Sequence, residues 1–129
     1  VKVGAEDRVL FVGKRLDSWR YLAAGDAFVL PSSYEAFGLS AFEAGSSGLP
    51  LLGTRVNGLD ELIIDGENGF FVDRDPAAIA DRLSQLGADP QLRRWMSDNA
   101  RTSASRYSWA DSVDSYVKLF EELQASCAG

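Results

Sequence analysis

Residues 26–44 read DAFVLPSSYEAFGLSAFEA, and the pattern within this stretch decides the fold. The apolar run at residues 26–30 ends at Pro31 and has the length of a buried strand in a parallel sheet. Residues 38–47 then place apolar side chains at helical spacing. A strand that continues through a loop into a helix is the repeating unit of α/β proteins, whose crossovers between parallel strands are right-handed.

Other short apolar runs extend the same pattern along the chain. They are bounded by turn-forming residues, as buried strands are, and lie at residues 8–12, 50–52 and 69–72. Helical spacing of apolar residues also occurs at residues 17–24 and 59–64. The sequence therefore predicts an α/β fold with a parallel sheet of about four strands flanked by helices.

Everything after residue 72 has the pattern of helices. Asp75-Pro76 and Asp89-Pro90 each place an aspartate before a proline that suits the first position of a helix, and Ser108 caps a last helix. With no linker or repeat, the chain reads as one domain with a helical C-terminal run. Its aromatic residues at helical spacing are interpreted as core or interdomain packing: Trp95, Trp109, Tyr116 and Phe120.

The composition excludes several classes of function. The 129 residues include 13 Lys and Arg against 19 Asp and Glu, and the net charge of −6 disfavours DNA or RNA as a partner. The absence of histidine excludes Ser-His-Asp hydrolysis and His-ligated metal sites built from this chain alone. The single cysteine, Cys127, forms no internal disulfide, and no apolar run approaches the ~20 residues of a membrane helix. A cytoplasmic location is expected.

The start of the helix at residues 38–47 suits an anionic ligand. Gly38 lets a ligand approach the backbone, and the first N–H groups and the positive end of the helix dipole favour a phosphate. Glu43 lies about 7.5 Å farther along the helix, which is the distance from a pyrophosphate to its ribose. A carboxylate accepts hydrogen bonds from two adjacent ribose hydroxyls. Glu35, in the loop before the helix, could contact the group attached to the far phosphate.

Other interpretations of the two glutamates stay open on spacing alone. Eight helical residues span ~12 Å, whereas paired glycosidase carboxylates lie about 5–9.5 Å apart, so the spacing argues against hydrolysis. Glu43 could also be a solvent-facing helix residue and Glu35 a charge at the helix start. A phosphoacceptor signalling domain needs clustered acidic residues at strand ends to hold Mg²⁺, where this sequence has Gly13, Pro31 and Thr54.

The same residues resemble a known signature. Two glutamates separated by seven residues, with Phe-Gly-Leu between them and Pro-Ser before them, are similar to the donor site of retaining GT-B glycosyltransferases, particularly glycosyltransferase family 4. Further motifs follow in the family's order across residues 8–123, including GLP at residues 48–50, DGENG at residues 65–69 and YSW at residues 107–109. The resemblance implies that residues 1–129 form a partial nucleotide-sugar (donor) binding domain, the C-terminal, Rossmann-like domain of a GT-B enzyme.

The resemblance also implies a role for each site residue. Glu43 would bind the nucleotide ribose, and Glu35, the candidate catalytic residue, would hydrogen-bond the sugar near the reacting centre. The pyrophosphate and transferred sugar would meet the backbone of Phe37, Gly38 and Leu39. The nucleotide base would be bordered by Gly13 and Lys14.

The expected function is the donor-binding part of a retaining, metal-independent glycosyltransferase that transfers a hexose from a nucleoside-diphosphate sugar to an acceptor hydroxyl. No cofactor is expected. The implied partners are the nucleotide sugar and an N-terminal acceptor domain of the same protein, absent from this chain, through which any membrane association would occur. The cations that neutralise the leaving diphosphate are expected in the absent part, so this chain alone should be nearly inactive. The alternatives are a noncatalytic nucleotide-sugar-binding module and a GT-B-fold nucleotide-sugar epimerase fragment.

Overall fold

The computed structural model describes residues 4–5 and 7–127. Within them, three strands are β1 Phe28–Leu30, β2 Leu51–Gly53 and β3 Gly69–Phe71. The helices are α1 Ser18–Ala23, α2 Leu39–Ser46, α3 Leu59–Leu62, α4 Pro76–Ala88, α5 Pro90–Ala104 and α6 Trp109–Cys127. The strands form one parallel sheet in the order β1-β2-β3. The α/β fold with flanking helices and a helical C-terminal run is therefore confirmed.

The sheet brings two loops to one edge. Leu51 of β2 is in register with Phe28 of β1 and with Gly69 of β3. A Cβ on Gly69 would lie only 2.0 Å from the carbonyl oxygen of Leu51, so only glycine fits at this approach. Because all three strands are parallel, their carboxyl ends open on the same side, where the β1–α2 loop (residues 31–38) and the β2–α3 loop (residues 54–58) begin.

The prediction of a fourth strand at residues 8–12 is wrong. The segment forms no strand and is exposed, with Leu10 at 84% and Phe11 at 92% exposure. In the described part of the chain, β1 is paired only with β2. A buried parallel strand needs covering layers on both faces, and the exposed apolar side chains of residues 9–12 lack them. Among the described residues the sheet thus has three strands, close to the predicted number of about four.

The core consists of two apolar clusters separated by the sheet. Successive strand residues point to opposite faces, so Leu51 packs with Phe42 and Leu59 in one cluster, whereas Leu52 packs with Met96 in the other. Helices α2 and α3 line the first cluster, and α4 and α5 supply buried residues to the second. The first cluster reaches the carboxyl edge of the sheet through Leu59, which packs beside Gly38 at the end of the β1–α2 loop.

The C-terminal helices begin where the sequence predicts. The Asp75 side chain accepts a hydrogen bond from a backbone N–H of α4, and Asp89 accepts two from α5. The four aromatic residues do not lie in the core, since each is about half exposed or more: Trp95, Trp109, Tyr116 and Phe120. The other part of the interpretation, packing against another domain, stays a prediction. Across the described residues, none of the helices combines the length and apolar character needed to cross a bilayer.

Candidate functional site

Gly38 starts helix α2 in the left-handed conformation, with φ 72° and ψ 40°. It is buried, and a Cβ at this position would lie 2.5 Å from Cδ1 of Leu59. No described side chain caps the start of α2. The first backbone N–H groups of the helix and the positive end of its dipole thus lie at the carboxyl edge of the sheet without a capping side chain. The predicted placement of Gly38 at a helix start is confirmed.

The β1–α2 loop rests against the start of α3. Gly58, the residue before α3, has φ 81°, and a Cβ there would lie 1.7 Å from the carbonyl oxygen of Phe37. Leu59 then fills the space between Gly38 and Gly53, since a Cβ on Gly53 would lie 2.4 Å from Leu59 Cδ2. The path of residues 37–38 is therefore set by the backbone of Gly58 and the side chain of Leu59.

Glu35 is held by a chain of hydroxyl hydrogen bonds. The Ser32 hydroxyl donates to Glu35 Oε1 at 2.6 Å, and the Thr54 hydroxyl donates to the Ser32 carbonyl at 2.5 Å. Arg74 Nε donates to the Pro31 carbonyl at 3.1 Å. Thr54 follows β2 and Arg74 lies shortly after β3, so residues beyond both neighbouring strands fix the loop that carries the half-buried Glu35.

Phe37 belongs to a row of three aromatic rings. Its ring stacks on Phe42 with centroids 4.7 Å apart, and Phe42 meets Tyr107 edge-on at 4.8 Å. The Tyr107 hydroxyl donates to the Glu61 carbonyl at 3.2 Å. The Phe37 ring thus lies along α2 on Phe42, while its backbone leads into the helix start at Gly38. Leu39, the first residue of α2, is exposed.

Glu43 lies on the outer face of α2. Its side chain is exposed, whereas its neighbours Phe42 and Ala44 are buried in the core. Five residues of helix separate Glu43 from Gly38, which is about 7.5 Å along the axis. The structure therefore places five of the predicted residues, Glu35 to Glu43, on one continuous loop and helix.

The Glycosyl transferases group 1 family matches residues 2–103. The chain belongs to this family. It is 41% identical over 101 residues to the D-inositol 3-phosphate glycosyltransferase of Corynebacterium urealyticum, covering 78% of this chain and 24% of that protein. The chain thus spans about a quarter of the length of this relative.

Solved structures of glycosyltransferases share the fold. Sucrose-phosphate synthase from Thermosynechococcus elongatus superposes with a TM-score of 0.86 at 33% identity, over 93% of this chain and 31% of that one. HepE from Anabaena, in complex with UDP-glucose, gives a TM-score of 0.80 at 28% identity, over 95% of this chain and 34% of that one. The α/β fold therefore matches the C-terminal domain of GT-B glycosyltransferases.

Gly13 and Lys14, which the family resemblance places beside the nucleotide base, do not belong to the loop and helix that carry Glu35 to Glu43. Gly13 and Lys14 are in an exposed segment before α1, and Gly13 has φ 66°. The expected strand that would end at them is absent, as described above. Their role beside a nucleotide base stays a prediction.

Sequence reasoning missed the residues that support the candidate site. Ser32 was interpreted only as part of a motif, and Thr54 only as a strand end, although hydroxyl residues within two positions of the ends of two neighbouring strands are a signal that they meet. Asn68 is fully buried: its Nδ2 donates to the Leu62 carbonyl and to Ser103 Oγ, and its Oδ1 accepts from Ile64 N–H. The asparagine of the DGENG motif thus ties the end of α3 to α5.

The chain has 19 Asp and Glu residues, and those that the structure describes form no metal-binding cluster. In residues 4–5 and 7–127, no group of three or more His, Cys, Asp or Glu side chains is arranged to hold a metal ion. Asp65 instead accepts a hydrogen bond from Phe71 N–H, and Asp60 lies 3.5 Å from an Arg55 nitrogen. The independence from metal expected from the sequence stays a prediction.

Proposed function

We propose that this chain forms the donor-binding part of a retaining glycosyltransferase of family 4, which transfers a hexose from a nucleoside-diphosphate sugar to an acceptor hydroxyl. The observation that carries the proposal is the start of α2 at Gly38, free of a capping side chain, with Glu35 before it and Glu43 after it. HepE, which shares the fold, has been solved with UDP-glucose bound.

In this proposal the pyrophosphate lies at the start of α2. Backbone N–H groups of residues 37–39 donate to its oxygens, and the helix dipole favours its negative charge. The left-handed Gly38 has no Cβ, and the space that a Cβ would occupy is taken by Leu59, so the glycine lets the start of α2 pack on α3 while its N–H groups stay without a capping side chain. As the sugar departs, the same N–H groups stabilise part of the charge that develops on the leaving diphosphate.

The two glutamates take different roles in the proposal. Glu43, exposed on α2, accepts hydrogen bonds from the two ribose hydroxyls. Glu35, half-buried and held by Ser32, accepts hydrogen bonds from the sugar and places a negative charge near its reacting carbon. That charge stabilises the positive charge that a sugar ring gains as it leaves the diphosphate. Gly13 and Lys14 border the base.

The acceptor site belongs outside this chain in the proposal. The chain spans 24% of the inositol-phosphate glycosyltransferase and 34% of HepE, so most of each of those proteins lies beyond the matched region. A second domain would supply the acceptor surface and further cations for the diphosphate. No metal ion or cofactor takes part.

Donor binding tests the role of Glu43. In the intact protein, Glu43→Ala should weaken binding of the preferred donor roughly thirtyfold, which corresponds to about 2 kcal/mol and to the loss of at least one hydrogen bond to a charged group. Calorimetric titration with UDP-, GDP- and ADP-glucose measures this. Glu122→Ala, which removes an exposed carboxylate from α6, should bind as the unmodified protein does. Equal donor affinity in the Glu43→Ala and unmodified proteins would contradict the assignment.

Sugar transfer tests the role of Glu35. Glu35→Gln keeps the shape of the side chain but removes its charge, and kcat should fall about thirtyfold with a smaller change in donor KM. Steady-state kinetics on the intact protein, with release of the nucleoside diphosphate as the signal, measures the change. Glu67→Gln is the matched control, since Glu67 is an exposed loop glutamate in the DGENG motif. A Glu35→Gln enzyme with full kcat would refute the proposed role.

A further inference from the structure

Thr54 connects the carboxyl ends of two strands to the Glu35 carboxylate. Its hydroxyl donates to the Ser32 carbonyl, and its backbone N–H donates to the Leu30 carbonyl at 3.4 Å. Together these bonds extend the pairing of β2 with β1 beyond its last registered pair, Leu30 with Gly53. The start of the β1–α2 loop is thereby fixed to the sheet.

We propose that Thr54 is a positioning residue for Glu35 and acts through Ser32. The proposal rests on the function assigned to Glu35 above. Thr54 is buried at 8% exposure, and its hydroxyl donates its proton to the Ser32 carbonyl, so the hydroxyl is not free to donate to a sugar donor. Its influence on sugar transfer therefore passes through the Ser32 backbone, which carries the hydroxyl that holds Glu35.

The chemistry of the three residues suits this role. Threonine is branched at Cβ and has few χ1 rotamers, so a buried threonine hydroxyl is a stiff support. The Ser32 hydroxyl donates to a carboxylate at 2.6 Å, which is the short distance of a charge-assisted hydrogen bond. A glutamate side chain loses considerable rotamer freedom when it is fixed. The hydroxyl pair holds one orientation of Glu35 before a donor binds, which favours the reacting geometry.

Two substitutions at Thr54 test whether its hydroxyl or its branched shape affects kcat. In the intact protein, Thr54→Val keeps the branched shape and removes the donor, and kcat should fall about tenfold while donor KM changes by less than about twofold. Thr54→Ser restores the hydroxyl, and kcat should return to within about twofold of the unmodified enzyme. Thr102→Val is the control, because its hydroxyl donates to the Asp98 carbonyl within α5; its kcat should be unchanged.

The Glu35→Gln background tests whether Thr54 acts through Glu35. If it does, adding Thr54→Val to Glu35→Gln should lower kcat no further, because the group that Thr54 positions is already impaired. A crystal structure of the Thr54→Val protein should show the Ser32 to Glu35 hydrogen bond lost or the carboxylate in more than one orientation. Thermal melting of each variant identifies any that fails to fold.

Two results would overturn the inference. One is an equal tenfold loss from Thr54→Val in the unmodified and Glu35→Gln backgrounds, which would make Thr54 a general structural residue. The other is a Thr54→Val structure in which the Ser32 to Glu35 hydrogen bond is intact and Glu35 is unchanged. Failure of the proposed function gives a different result. In that case the single variant Glu35→Gln would transfer sugar at the full rate, whichever residue is at position 54.

Discussion

Gly58→Ala should destabilise the protein by about 3 kcal/mol or more and abolish donor binding. A Cβ at this position would lie 1.7 Å from the Phe37 carbonyl oxygen, and the backbone φ of 81° is unfavourable for any residue with a side chain. Because the clash is with backbone, the β1–α2 loop must move for the alanine to be accommodated. Urea unfolding measures the stability, and calorimetric titration with UDP-glucose in the intact protein measures binding.

Gly66→Ala is the control for this prediction, because it introduces the unfavourable backbone conformation without the steric clash. Gly66 has the same φ of 81°, but a Cβ there would meet nothing within 4 Å. Only the conformational cost of about 1–2 kcal/mol should remain, and donor affinity should be unchanged. Similar losses of stability in the two variants would show that the approach of Gly58 to Phe37 does not constrain the loop.

Leu59→Ala should cost about 3 kcal/mol of stability and also weaken donor binding about tenfold. Leu59 is fully buried, and its two methyl groups fill the space beside Gly38 and Gly53. Removing them leaves a cavity directly under the residue that starts α2. The helix start can then shift towards the cavity, and its N–H groups are no longer held in place for a diphosphate. Urea unfolding and donor titration of the intact protein measure the two effects.

Leu62→Ala is the matched control for this prediction. Leu62 lies in the same short helix, is 1% exposed and belongs to the same core cluster, so its truncation should cost a similar ~3 kcal/mol. The three atoms nearest to a Cβ position at Gly38, and the three nearest at Gly53, belong to residues other than Leu62. Donor affinity should therefore be retained in Leu62→Ala. Equal weakening of donor binding by both substitutions would mean that α3 acts only through overall stability.

Local sequence signals predicted most of the elements. Asp75 and Asp89, each followed by proline, marked helix starts that the structure confirms, because capping depends only on neighbouring residues. The short apolar runs at β1, β2 and β3 were also predicted correctly as parallel strands. The strand at residues 8–12 was not, because a strand depends on partners that cover and pair with it, and local composition contains no information about them.

The candidate site was predictable only where it depends on residues that are neighbours in the sequence. Gly38 at the start of α2 follows from the nearby sequence. The spacing of Glu35 and Glu43 allowed other interpretations, and their roles were implied only by the family resemblance. The support of the site depends on contacts between distant residues. Thr54 reaches Ser32 across 22 positions, and Arg74 reaches Pro31 across 43. Only the sheet, which places the ends of β1, β2 and β3 together, makes these pairs neighbours.

The order of the strands has a consequence for folding. Since β1, β2 and β3 lie side by side in the order of the chain, each pairing joins segments about twenty residues apart, and such short loop closures cost little entropy. The first pairing places the β1–α2 loop, and the second places α3 beneath it. Residues 28–72 thus contain all three described strands and both proposed glutamates, and α4 and α5 complete the core around them. We expect the proposed donor surface to form and to be lost together with the sheet.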